Sequence, residues 1–164
     1  MVGQAIADIM RAMILSHGRR SFLQRWLPVV LWAGLIFYFS TETFSSSNTE
    51  GFISEWLLRF LPEIPPARLM ALHLVTRKGA HWLEYFVFGI LLLRAQRRGE
   101  EPKLATAAIA RTLVLVLAYA ASDEYHQFWV AERTASVVDV AIDTFGGVCG
   151  VFWMCLWRKR SARD

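Results

Sequence analysis

This sequence predicts an all-α fold, a small polytopic membrane protein with four transmembrane helices and short interfacial helices. Three observations carry that prediction. Hydrophobic residues make up 55% of the 164 positions and the mean hydropathy is +0.34, which excludes a disordered polymer, and the length excludes several ordinary domains. The apolar residues gather into runs long enough to cross roughly 30 Å of hydrocarbon. The 18 Lys and Arg, behind a net charge of +4, punctuate those runs in short clusters. Spread in that way they are a topology signal and not a nucleic-acid surface, so no nucleic-acid partner is expected.

Residues 1–21 form a lead-in. Ile6, Ile9, Met10, Met13 and Ile14 recur at helical spacing around Asp8 and Arg11, the pattern of a short amphipathic helix on the cytoplasmic surface, with a loosely ordered lead-in as the alternative. Arg19, Arg20 and Arg25 flank a first span over residues 22–39 and place the N terminus inside. Pro28 falls in an early turn, where backbone donors need no intrahelical partner. The following STETFSSS offers no small-x-small cleavage pattern, so the segment reads as an anchor, not a signal peptide.

The long connection over 40–78 contains Phe52, Ile53, Trp56, Leu57 and Phe60 around a Glu55/Arg59 pair. That spacing predicts an interfacial helix ending near Pro62, with another short helix after Pro65 and Pro66. A second span is expected over 78–93. The RAQRRGEEPK connection after it has four basic residues in ten positions and belongs inside. In the third apolar region, starting the span near Thr112 keeps Arg111 at the inner interface and leaves 104–110 as a cytoplasmic or interfacial approach. The fourth span covers 135–157, and the basic tail 158–164 returns to the cytoplasm. The membrane domain is thus 22–157, with both termini inside and the long first connection and the AERTAS turn outside.

Ionised side chains in hydrocarbon are costly unless paired, protonated or hydrated, so those near the spans are functional candidates. Arg77, His81 and Glu84 share a broad face of the second span; an interfacial salt bridge is the simpler alternative. Tyr119, Asp123 and His126 repeat the same four-and-three spacing in the third, with Gln127 one turn beyond Asp123 and Glu124 turned toward another helix. Asp139, Asp143, Gly146 and Gly150 share one side of the fourth: the glycines admit a close neighbouring helix, and the aspartates open toward an outer cleft. Asp139 also suits a helix N-terminal dipole. Arg133 could grip a phosphate or carboxylate, or neutralise the acids around it. Glu84, Asp123 and His126 are the candidate acid–base residues, with no catalytic assignment. No HExxH or Cys/His cluster is present, which disfavours zinc against calcium or magnesium; a divalent cation on Glu84, Asp123, Asp139 and Asp143 is the weaker alternative to no cofactor at all.

At RKGAHWLEYFVFG, SDEYHQFWVAERTASVVDVAIDTFGGVCG and the earlier FSSS region, the chain resembles the VanZ-like integral membrane proteins. The resemblance covers roughly residues 30–155, in an ordered set comprising Lys78, His81, Glu84, Tyr85, Asp123, Glu124, Gln127, Arg133, Asp139, Asp143, Gly146 and Gly150. It implies a multi-pass protein of the bacterial plasma membrane, associated with the cell envelope, in a family named for a member linked to teicoplanin resistance. Ala131 and Glu132 depart from the family's commoner proline-glycine-arginine turn.

The leading expectation is therefore a protein that binds or modulates a polar lipid-linked or peptidoglycan-related component through an outer-face cleft. The ligand-binding candidates are Arg77, Lys78, His81, Glu84, Tyr85, Asp123, Glu124, His126, Gln127, Arg133, Asp139 and Asp143. Membrane lipids and a lipid-linked envelope precursor are the expected partners; homo-oligomerisation is left open. The alternatives are an enzyme modifying an envelope lipid or glycan precursor, with or without a divalent ion, and a structural protein whose polar groups fix helix assembly.

Overall fold

The structure is a computed structural model, and it describes residues 22–41, 58–60, 63–97, 102–129 and 136–161. Its long elements are all helical: α1 (Phe22–Phe39), α2 (Pro66–Gln96), α3 (Pro102–Gln127) and α4 (Val137–Ser161). The lead-in helix, the Glu55 part of the interfacial helix and the turn carrying Arg133 lie outside the described residues.

Three of these helices are long and apolar enough to cross a membrane: α1, α3 from Thr106 to Gln127, and α4 from Val137 to Arg160. The exception is α2, the longest at 31 residues and about 46 Å. Its sequence is diluted by Arg68, Arg77, Lys78, His81, Glu84 and Arg94. None of these six is itself buried; what holds α2 in place is its packing against protein. Tyr85, Phe88, Leu92, Leu93 and Ala95 are buried, and α2 packs against all three other helices. A helix surrounded by protein need not match lipid on every face.

Two expectations are corrected here. The short helix after Pro66 and the span over 78–93 are one continuous α2. Pro66 at the first helical position starts it without losing a bond, and nothing between Ala67 and Lys78 breaks the ladder. Residues 104–110 likewise are not a separate approach; they belong to α3, which begins at Pro102. In addition, α4 runs through the basic residues Arg158, Lys159 and Arg160, where positive charge meets the negative end of the helix dipole.

The core joins Val29 and Ile36 of α1, Tyr85, Phe88 and Leu92 of α2, and Val116 and Ala120 of α3. Polar contacts fix the register: Trp32 Nε1 donates to the Glu84 carbonyl at 2.9 Å, Tyr119 Oη to the Ala33 carbonyl at 2.7 Å, and Gln96 Nε2 to Thr112 Oγ1 at 2.9 Å. Each is worth about 0.6–2 kcal/mol where water does not compete. The α2–α4 seam is tighter than side chains allow. A Cβ on Gly146 would stand 2.3 Å from the Trp82 carbonyl oxygen, one on Gly150 2.0 Å from that of Phe86, and one on Gly89 2.4 Å from that of Gly147. Backbone meets backbone along this seam. The outward residues Val30, Leu31, Val114, Phe152 and Trp153 are exposed apolar surface, as lipid contact requires.

Candidate functional site

One end of the bundle collects the polar residues. It comprises the end of α1, the middle of α2, the last two turns of α3 and the first two of α4. The α-helical period brings Lys78, His81 and Tyr85 along one side of α2, and Asp139 and Asp143 along one side of α4. The glycine seam below holds these two rows against each other.

Asp123 is buried and fixed from two directions. Ser40 Oγ, from the end of α1, donates to its Oδ2 at 2.9 Å, and Gln127 Nε2 donates to the same oxygen at 3.2 Å. Glu124, also buried, turns elsewhere: its Oε2 accepts the Ser136 backbone N–H at 2.8 Å, tying α3 to the start of α4. Ser136 Oγ in turn accepts the Val138 N–H at 3.2 Å and caps α4. Lys78 forms an ion pair with Asp139, which sits in the first turn of α4. The dipole role of Asp139 and the ion pair are compatible, since both favour the carboxylate.

Deeper by one turn, Asp143 is completely buried. His81 Nδ1 approaches its Oδ1 at 3.7 Å, beyond hydrogen-bond length. Neither Asp143 carboxylate oxygen has a hydrogen bond from the described residues. The Tyr85 hydroxyl, also completely buried, has none either. Single ligand atoms of His81, Asp123 and Asp143 all lie within 4.8 Å of one another, the one group of metal-ligating type among the described residues. It keeps Asp123 and Asp143 from the expected cation set and adds His81. Asp139 is committed to Lys78, and Glu84 is half-buried outside the group.

A cavity of about 30 Å³ opens between α2 and α4, walled by Leu74 and Ile142 and lined by Arg77, Lys78, His81, Asp139 and Asp143. That volume admits water, an ion or one small polar group. His126 is not drawn in. Its ring packs against Phe37 of α1, with centroids 4.6 Å apart. Gly146 and Gly150 carry the seam, as described above, and Arg133 lies outside the described residues. Ser40, a lone hydroxyl closing an apolar run, is a participant that the sequence does not single out; its only signal is a polar atom at the edge of a span. Tyr119, grouped with Asp123 by spacing, instead uses its hydroxyl to latch α3 to α1.

A protein-family model described as VanZ/LLP1 matches residues 25–158. No curated protein and no solved structure matches the chain.

Proposed function

The chain belongs to the VanZ/LLP1 family, and from that premise we propose that it is a multi-pass protein of the bacterial plasma membrane that binds the polar part of a lipid-linked or peptidoglycan-related envelope component. In this reading α2 is a fourth crossing, both termini are cytoplasmic, and the polar end of the bundle faces outward. The observation that carries the reading is the cavity between α2 and α4. Arg77, Lys78, His81, Asp139 and Asp143 all line it. Cationic donors suit a phosphate or carboxylate, while the acids suit hydroxyl or amine groups of a glycan or peptide. At about 30 Å³ the cavity takes one such group, and the remainder of the molecule lies against α2 above it.

The test is binding of polyprenyl-phosphate-linked lipid to the full chain in nanodiscs, followed by native mass spectrometry. The variant carrying Glu84→Gln, Asp123→Asn and Asp143→Asn, and separately Arg77→Gln with Lys78→Gln, are expected to lose at least tenfold in affinity. Equal binding by wild type and both variants removes the site from this place. Product analysis of the same samples separates binding from turnover: a new lipid or glycan species made by wild type alone would make the protein an enzyme.

A further inference from the structure

Among the described residues, the triad of His81, Asp123 and Asp143 has more carboxylate around it than cation. Asp123, Glu124, Asp139 and Glu84 all lie within electrostatic range of Asp143, giving five acids with Asp143 itself. Among the described residues, the permanent cations at this end are Arg77 and Lys78, and Lys78 is paired with Asp139. An assembly of this sign held away from water favours an added cation.

Geometry narrows what kind. Ligand atoms about 2.1 Å from a common ion lie about 3–4.2 Å apart. The His81–Asp143 separation of 3.7 Å falls within that range, and the 4.8 Å limit on the whole group leaves about 0.6 Å to close. A second observation points the same way. Asp143 is fully buried, yet neither of its carboxylate oxygens has a hydrogen bond from the described residues. The buried Tyr85 hydroxyl, equally without one, lies within electrostatic range of both Asp123 and Asp143.

We propose that His81, Asp123 and Asp143 form a binding site for one divalent first-row transition metal ion, of the Mn²⁺ or Zn²⁺ type. One imidazole nitrogen with two carboxylates suits these ions better than Mg²⁺ or Ca²⁺, which take oxygen donors. Three protein ligands leave a coordination position open, and the cavity lined by His81 and Asp143 gives that position access. Ser40 and Gln127, both bonded to Asp123 Oδ2, orient one ligand from behind, as the outer partners of metal carboxylates do. A proton shared between Asp123 and Asp143 is the rival arrangement, and it binds no metal.

The experiment uses the full chain in detergent, stripped of metal and titrated with Mn²⁺ alone, with pulsed electron paramagnetic resonance as the readout. Wild type is expected to bind one Mn²⁺ per chain with ¹⁴N modulation from a coordinated imidazole. His81→Gln should remove the modulation, and Asp143→Asn should weaken binding at least tenfold. Absence of stoichiometric binding, absence of the modulation, or displacement of Mn²⁺ by an equimolar amount of Mg²⁺ would overturn the proposal. Should Asp143→Asn aggregate, the modulation in wild type and its loss in His81→Gln decide the matter. The site does not depend on the lipid reading: Mn²⁺ binding without lipid binding defeats only the latter.

Discussion

The seam and the polar end of the bundle are built from the same two helices under opposite constraints. Around Gly146 and Gly150, α2 and α4 approach until glycine faces a backbone carbonyl, so volume is restricted and no side-chain chemistry is involved. Around His81 and Asp143 the contact is looser, 3.7 Å between heavy atoms, and charge is what matters. A bundle can thus place its stability in one stretch of an interface and an electrostatically unfavourable site in the next. Surplus buried charge is weak evidence of stability and better evidence of use.

Enlarging the seam should have the largest effect. Gly150→Leu would drive a side chain into the Phe86 carbonyl. Overpacking of this kind costs about 1–3 kcal/mol and often more against rigid backbone. We expect loss of the monodisperse peak in size-exclusion chromatography, with Gly150→Ala visibly less stable to heat than wild type; an Ala variant of wild-type melting temperature would show that the seam is slack.

Asp143→Leu attacks the other region and should sharpen the contrast. Asp143 has no hydrogen bond from the described residues and four other acids within electrostatic range, so removing its charge relieves repulsion; the melting temperature should equal or exceed that of wild type while Mn²⁺ and lipid binding vanish. A strongly destabilised Asp143→Leu would place the residue among the elements that hold the fold.

A smaller effect is expected at the rim. Lys78 and Asp139 are partly exposed, with side-chain accessibilities of 33% and 20%, so solvent screens their pair to about 1 kcal/mol or less. Lys78→Met should cost that much, and the Lys78→Met, Asp139→Leu double variant should recover it in a thermal double-mutant cycle. Ser40→Ala should be the mildest, about 0.6 kcal/mol for one hydrogen bond to Asp123. A much greater loss would mean that Ser40 anchors the end of α1.

Some of this architecture can be read directly from the residues. The first span over 22–39 has the same bounds as α1, because an apolar run with a basic flank has few competing readings. The course of α2 was not legible in this way. Arg77 and Lys78 look like the edge of a span when each helix is weighed against lipid, whereas α2 is weighed against three protein neighbours. Helical spacing correctly groups Asp139, Asp143, Gly146 and Gly150 on one side of α4, since that follows from the period alone. It cannot name what they face. That Gly146 meets Trp82, or that Ser40 reaches Asp123 across 83 positions, depends on how helices dock, and no local pattern encodes docking. His126 shows the converse: it shares the spacing of Asp123 yet packs on Phe37.

The unequal length of α2 has a consequence for traffic to the site. Lys78 meets Asp139 in the first turn of α4, so the eleven residues 66–76 rise past that turn by about 17 Å, with none of them buried. They form a mast standing at one side of the entrance. For the lipid proposed above, that extension would be a wall on the α2 side of the cavity, met before any group inside it.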